Sequence, residues 1–396
     1  MTDQYFFYGT LRDEALLARV LGRAPRARAA AIAGHAVRAA RVGGRAQGFP
    51  VLVAEAGARA EGVLVSVSPA EAARLDYYEA GYSRKICPVE TAAGGLRAQV
   101  YLPQAGRWQA GELFDFAAWQ ARWGALARET AADFMAGFGH IPAEQALARY
   151  PSLLVRAASR LRARGEAFGP ETAPETAAPE APRAPALRHA PAPGDVVVEA
   201  MTPAYARFFA VEEYRLRHRK FGGAMTEPLE RAAFVSADAT VVLPYDPLRD
   251  RVLLVEQFRA GPFARGDRNP WSLETIAGRI DPGERPEDAA RREAGEEAGL
   301  TLGRLIAAPN FYPSPGAKTE YIYSFIALCD LPEGAARPGG VAEEGEDIRP
   351  HLLSFDELMA RMSAGEFENG PLIVLTLWLS RLRPGLRAEA FAAGAG

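Results

Sequence analysis

The sequence predicts two domains of mixed secondary structure: an α+β domain with a helical extension over residues 1–165, and an α/β domain over 194–390. A Pro/Ala-rich linker over 166–193 joins them. Three observations carry this. At 396 residues the chain exceeds a single ordinary domain. The stretch EAFGPETAPETAAPEAPRAPALRHAPAP holds seven prolines and almost no large apolar residue, so it cannot bury enough surface to fold. On either side of it, short apolar runs of strand character are followed by segments of helical periodicity.

The first domain opens on a strand, Tyr5-Phe6-Phe7-Tyr8, then a tight Gly-Thr turn and a helix start in LRDEALLARVL. Strands are expected at RAAAIAGHAV, FPVLVAE, AEGVLVSVS, KICPVET and LRAQVYLP. From Leu113 to Arg164, apolar residues three and four apart predict helix. The second domain begins with strands in DVVVEAM, FFAVEEYRLRHRKF, RAAFVSADATVVLPY and RVLLVEQFR. Asp246-Pro247 marks a hairpin turn within LPYDPLRDRVLLVEQ. A helix follows over the glutamate-rich segment, then strands through TEYIYSFIALC. FDELMARMSAGE and PLIVLTLWLSRL close the domain as helices.

Composition excludes several classes. The net charge of -3 gives no global attraction to nucleic acid or to an anionic membrane. The two cysteines, Cys87 and Cys329, form no CxxC, and the five histidines are scattered, which argues against a zinc site. The opening MTDQYFFYGTLRDE has no basic segment followed by an apolar core, and no apolar run approaches the length of a membrane span. A soluble, cytoplasmic protein is the expectation.

The segment GRIDPGERPEDAARREAGEEAGL holds the chemistry. Pro286 suits a first helical turn, Glu287 and Asp288 there favour the helix dipole, and Gly299 is a natural stop. Glu293, Glu296 and Glu297 then share one helical face, where like charges three and four apart repel. Taken alone, REAGEE is either a solvated acidic face or a set of hard oxygen ligands that a cation such as Mg²⁺ or Mn²⁺ holds together.

The wider spacing decides between them. Gly278, Glu284, Arg292-Glu293, Ala294, Glu296-Glu297, Gly299 and Leu300 together resemble the Nudix box. The seven non-aliphatic positions would coincide by chance on the order of once in 10⁸ starting points. Ala294 is smaller than the aliphatic residue usual there. The runs FFAVEEYRLRHRKFGG, VLLVEQFR, WSLETIAGRI, FYPSPG and EEGEDI extend the resemblance to the ADP-ribose pyrophosphatases of the superfamily. That resemblance implies an α/β/α sandwich and cleavage of ADP-ribose to AMP and ribose 5-phosphate with Mg²⁺ or Mn²⁺. It implies metal ligation by Glu293, Glu297, Glu346 and the backbone carbonyl of Ala277, with Glu296 assisting and Glu344 as general base. Glu284 would pair with Arg292. Phe208 would stack on adenine, Arg231 and Arg259 would contact substrate, and Ser314, Pro315 and Gly316 would shape the pocket beside the terminal ribose. A homodimer through this domain is implied too, with Phe208 donated by the partner.

In the first domain, Tyr8-Gly9-Thr10-Leu11 is followed by GFPVLV from Gly48 and LDYYEAGY from Leu75. In this order they resemble the γ-glutamylcyclotransferase-like family over roughly the first 110 residues. Members of that family close a γ-glutamyl group on its own α-amine to 5-oxoproline. The resemblance implies that YGTL binds the α-carboxylate through backbone N–H groups and that Glu79 is the base. The other reading makes Glu79 an exposed loop acid in a catalytically silent module. The combined layout resembles two-domain proteins of the TrgB type, linked to tellurite resistance, a phenotype that no residue here explains. Hydrolysis of another nucleoside diphosphate sugar, or an ADP-ribose sensor with a silent first domain, are the competing functions.

Overall fold

A computed structural model describes residues 2–42, 45–104, 106–169, 187–207, 209–335, 337–341 and 345–394. The chain divides into two compact units, Met1–Glu171 and Thr172–Gly396. Most of the expected linker, residues 170–186, lies outside the described residues. Its first residues belong with the first unit: the Gly169 N–H donates to the Arg122 carbonyl at 2.6 Å, and Phe168 packs on a cluster with Leu126 and Leu161.

The first unit runs β1 (Asp3–Phe7), a 3₁₀ turn (Thr10–Arg12), α1 (Glu14–Leu21), β2 (Arg28–Val42), β3 (Arg45–Val67), α2 (Pro69–Tyr78), β4 (Tyr82–Thr91), β5 (Gly94–Pro103), β6 (Gln109–Leu113), α3 (Phe116–Ala136), α4 (Ala143–Ala148) and α5 (Tyr150–Arg164). Strands β3, β1, β5, β4 and β2 are hydrogen-bonded in that order, and β2 pairs back onto β3. Five strands therefore close into a barrel, which removes their free edges. FPVLVAE and AEGVLVSVS, expected as two strands, run as parts of the single strand β3.

The apolar run Tyr5–Tyr8 serves both faces of β1 because side chains alternate along a strand. Phe6 and Tyr8 pack with Ile32, Leu52, Leu64 and Val100 in one cluster. Tyr5 and Phe7 pack on the other side with Leu16 and Leu17 of α1, Leu75 of α2 and Phe134 of α3. Asp13 fixes the entry to α1. Its carboxylate accepts the Leu16 N–H at 2.8 Å and is gripped by Arg128 at 3.0 and 2.7 Å and Gln120 at 2.7 Å. The helical extension is thereby tied to the turn that follows β1.

The second unit runs β7 (Val196–Ala206), β8 (Ala210–His218), β9 (Leu229–Val235), β10 (Ala239–Asp246), β11 (Arg251–Phe258), α6 (Ala260–Arg265), β12 (Trp271–Glu274), β13 (Ile276–Arg279), α7 (Pro286–Ala298), β14 (Leu305–Ala307), β15 (Ile322–Leu328), β16 (Arg349–Ser354), α8 (Phe355–Ser363) and α9 (Gly370–Gly394). RAAFVSADATVVLPY, expected as one strand region, splits between two sheets: β9 joins the three-stranded sheet β7-β8-β9, and β10 is central in a seven-stranded mixed sheet. Asp246 builds the expected hairpin, its carboxylate accepting the N–H groups of Leu248 and Arg249 at 3.0 Å each.

Alternation along β10 and β11 sorts the core into two layers. Val241, Leu243, Tyr245, Val252 and Leu254 face Phe355 and Leu358 of α8 and Leu372 and Leu375 of α9. Val242, Leu253 and Val255 face Ala290, Ala294 and Ala298 of α7. Those alanines let the glutamate helix lie close to the sheet. Among the described residues, no helix is long and apolar enough to cross a membrane.

Candidate active site

α7 starts on Pro286 and stops at Gly299, which adopts φ 63° and donates to Gly295 O. Its glutamates lie at different depths. Glu297 is buried at 3% exposure and accepts the Ala277 N–H at 3.2 Å. Glu293 is half-buried across β13, where a side chain at position 278 would put its Cβ 1.8 Å from the Glu293 carboxyl. Glycine is required there for that close approach. Glu296 is exposed.

Arg292 relieves part of the repulsion. It holds Glu284 through two bonds of 3.0 Å, Glu293 at 2.7 Å, Glu296 at 2.9 Å and the Arg279 carbonyl at 3.0 Å. The relief is incomplete. Burial pushes Glu293 up to about 7, against the pull of Arg292 and with the added repulsion of Glu296 and Glu346. Burial pushes Glu297 up to about 8, against the Ala277 N–H and with the repulsion of Glu293.

The loop bearing Glu346 docks on the end of α7. Gly340 N–H donates to the Glu296 carbonyl at 3.0 Å, and a Cβ at Gly339 would lie 2.0 Å from the Glu297 carbonyl oxygen. Glu346 accepts the Val341 N–H at 3.0 Å. Among the described residues no three acid, imidazole or thiol side chains already converge into a ligand cage. The donors nevertheless suit a hard divalent ion: all are oxygens, and their mutual repulsion is only partly offset.

Arg259 follows β11 and is held by Glu274 through bonds of 3.0 and 2.7 Å. Burial opposes its charge, and Glu274, Glu297 and Glu346 favour it. Glu274 is absent from the sequence reading, although its place in WSLETIAGRI, opposite Val255 of the neighbouring strand, is what brings it to Arg259. Arg231 stands exposed on β9 with its Nη1 on the Glu230 carbonyl at 2.8 Å. Ser314, Pro315 and Gly316 form an exposed turn whose Ser314 carbonyl accepts from Ala317 and Lys318. The next residues zip onto β9: Phe234 N–H donates to Ala317 O at 2.7 Å and Thr319 N–H to Phe234 O at 3.1 Å. Phe208 and Glu344 lie outside the described residues.

In the first unit, Tyr8, Gly9, Thr10, Leu11 and Glu79 line one open pocket with Phe49, Pro50, Tyr82 and Tyr101. The Tyr8 hydroxyl donates to the Tyr101 carbonyl at 2.9 Å. Among the described residues, the N–H groups of Gly9, Thr10 and Leu11 donate to no backbone carbonyl. Glu79 caps the C-terminal end of α2. Among the described residues, burial is what pushes its carboxyl up to about 8. The adjoining Tyr82 hydroxyl is pushed up as well, by burial and then by Glu79.

The NUDIX domain family model matches residues 236–373, and the gamma-glutamyl cyclotransferase, AIG2-like model matches residues 5–121. The chain is 37% identical over 195 residues to the ADP-ribose pyrophosphatase of Escherichia coli strain K12, covering 49% of this chain and 92% of that protein. It is 34% identical to the Haemophilus influenzae protein of the same name, covering 47% and 86%. It is also 34% identical to the GDP-mannose pyrophosphatase of Salmonella paratyphi B, covering 38% and 77%. Nudix hydrolases in general use divalent metal ions. With the box residues on α7 and its docked loop, and with these relatives, the chain belongs to the Nudix hydrolase family and carries a γ-glutamyl cyclotransferase-like domain ahead of its Nudix domain.

Proposed function

We propose that the second unit hydrolyses the diphosphate of ADP-ribose to AMP and ribose 5-phosphate. The observation that carries this is the pair Glu293 and Glu297 on one face of α7, crowded by Glu346 and only partly neutralised by Arg292. The names of the E. coli and H. influenzae relatives support ADP-ribose as substrate. Glu293, Glu297, Glu346 and the Ala277 carbonyl would hold Mg²⁺ or Mn²⁺, with Glu296 beside them. Such an ion neutralises the diphosphate and lowers the pKa of a bound water. Arg259, fixed by Glu274, offers its guanidinium to a phosphate oxygen. Glu344 would take the proton from water. Ser314, Pro315 and Gly316 would border the terminal ribose, Arg231 would contact the substrate, and Phe208 would stack on adenine.

Release of AMP should depend on Mg²⁺ and be faster from ADP-ribose than from ADP-glucose or GDP-mannose. Preference for GDP-mannose would replace the substrate, in line with the Salmonella relative. Binding without turnover would make the unit a sensor. A homodimer through this unit fits the exposed Val196, Val198 and Tyr205 of β7, and sedimentation at working concentration tests it. The reaction, on a small nucleotide substrate, suits the cytoplasm.

For the first unit, the pocket around Glu79 favours γ-glutamyl cyclotransfer. A buried carboxyl lined by tyrosines suits an incoming ammonium group, and the N–H groups of Gly9, Thr10 and Leu11 suit a carboxylate. The site need only hold the folded conformer and accept one proton. Release of 5-oxoproline from γ-glutamyl amines tests this; no release from any of them would leave a binding module.

A further inference from the structure

We infer that Gln257 binds the diphosphate of the substrate, donating its side-chain amide to a non-bridging phosphoryl oxygen. The inference rests on the second unit being a diphosphate hydrolase. Gln257 is 6% exposed, and its Nε2 is buried without a hydrogen-bond partner among the described residues. A buried amide left unpaired costs roughly 1–3 kcal/mol, so a protein keeps one where something else completes it.

Its place in the sheet says what that is. Side chains two apart on a strand share a face. Leu253 and Val255 of β11 pack under Ala290, Ala294 and Ala298 of α7, so Gln257 projects from that same face one step further on. Just beyond the strand, Arg259 is held by Glu274 and feels the charges of Glu297 and Glu346. Glu274, opposite Val255, and Ser272, opposite Gln257, complete that face on β12. Gln257 therefore stands between the apolar floor beneath α7 and the charged groups of the site.

The residue type fits the task. A lysine or arginine there would pair with the carboxylates and compete with a divalent ion for them. A neutral amide leaves the glutamates to the ion and still offers two donors to an oxygen-rich substrate. Of the substrate's parts, the diphosphate is the one that must sit against Glu293 and Glu297, so its oxygens are the acceptors in reach.

The test uses the full chain with Gln257→Met, which keeps length and removes the amide, and Gln257→Glu, which keeps shape and removes the donors. Affinity is measured calorimetrically with Mg²⁺ for a non-hydrolysable α,β-methylene analogue of ADP-ribose and for adenosine, with melting temperature and kcat/KM alongside. Loss of a hydrogen bond to a charged group predicts analogue binding and kcat/KM lower by on the order of ten- to a hundredfold in Gln257→Met. Gln257→Glu should lose more. Adenosine affinity should change less than twofold, and Gln257→Met should melt no lower than wild type, because an unpaired buried donor has gone. A lower melting temperature with unchanged analogue affinity would make Gln257 structural and overturn the inference. An equal loss for adenosine would overturn it too. Failure of the wild type to bind the analogue or to hydrolyse ADP-ribose would instead remove the diphosphate reading beneath it.

Discussion

Glu79 at the end of α2 and Glu297 on α7 are both pushed up to about 8, and for both the first cause is burial. Their neighbours differ. Among the described residues, tyrosines line the pocket around Glu79, the nearby N–H groups of Gly9, Thr10 and Leu11 reach no backbone carbonyl, and no cation lines it. Around Glu297 stand Glu293 and Glu346, with Arg259 and the Ala277 N–H pulling the other way. A lone carboxyl in an apolar pocket is equipped to exchange a proton or to meet an ammonium group. A carboxyl crowded by its own kind is equipped to share a divalent ion. The size of a pKa shift thus marks a site, and the charges beside it say what the site is for.

Substitutions that exchange the effects between the units would break this comparison. The largest expected effect is from Glu297→Gln: AMP release from ADP-ribose should fall at least about a hundredfold, while 5-oxoproline release from the same protein is unchanged. A chelator should reproduce that pattern without any mutation. If it stopped both reactions equally, the first unit would need a metal and the contrast between the carboxyls would collapse. Near-wild-type turnover by Glu297→Gln would remove this residue from the metal site.

Glu79→Gln is the mirror experiment, abolishing 5-oxoproline release and sparing hydrolysis. It also has a signature in stability. A carboxyl whose pKa rises from 4.5 to about 8 on folding holds its proton more tightly in the folded state. Folding is therefore unpenalised below pH 4.5, loses stability as pH rises through that window, and carries the full cost above pH 8. Glutamine never ionises. The melting-temperature gain of Glu79→Gln should thus be near zero at pH 4.5 and grow steadily towards pH 8. A gain that did not vary with pH would place Glu79 in water.

What the sequence disclosed follows from how local each signal is. The spacing of Glu293, Glu296 and Glu297 puts them on one face of any helix, so α7 and its carboxylates were legible before the fold was known. The hairpin at Asp246-Pro247 and the strand at Tyr5–Tyr8 rest on equally local rules. Closure of the barrel was not legible, because nothing within FPVLVAE or AEGVLVSVS says that they are one strand bent around its neighbours. Nor was the break between β9 and β10, where VSADATVV reads as continuous strand and only tertiary pairing sends its halves to different sheets. Gln257 and Glu274 were missed for the same reason. Each lies in a run that the sequence singles out, yet its relation to Arg259 is set by the register of β11 on β12. Phe208 and Glu344 lie outside the described residues, and their roles rest on resemblance.

A smaller effect sharpens the comparison from the side of charge. Arg292 binds Glu284, Glu293 and Glu296 at once while remaining about one-third exposed. Breaking a buried ion pair costs several kcal/mol and an exposed one almost nothing, so Arg292→Met should cost about 2 kcal/mol. If repulsion among the glutamates is the source of that cost, millimolar Mg²⁺ should restore more melting temperature to the variant than it adds to wild type. An equal gain in both proteins would mean that Arg292 only anchors the loop through Glu284.

The smallest effect concerns Gly295, which sits among the glutamates in the exposed part of α7. Its φ is not positive, and a Cβ there would meet nothing within 4 Å. The backbone thus makes no demand for glycine, unlike Gly278, where a Cβ would strike the Glu293 carboxyl. Glycine inside a helix costs roughly 0.5–1 kcal/mol relative to alanine. Gly295→Ala should stabilise the second unit by about that amount, read as a higher midpoint in urea, and leave AMP release within twofold of wild type. A tenfold loss of turnover in a protein that has become more stable would show that flexibility of α7 at this point serves the reaction. The site would then depend on movement of the carboxylates as well as on their spacing, which separates it further from the fixed pocket around Glu79.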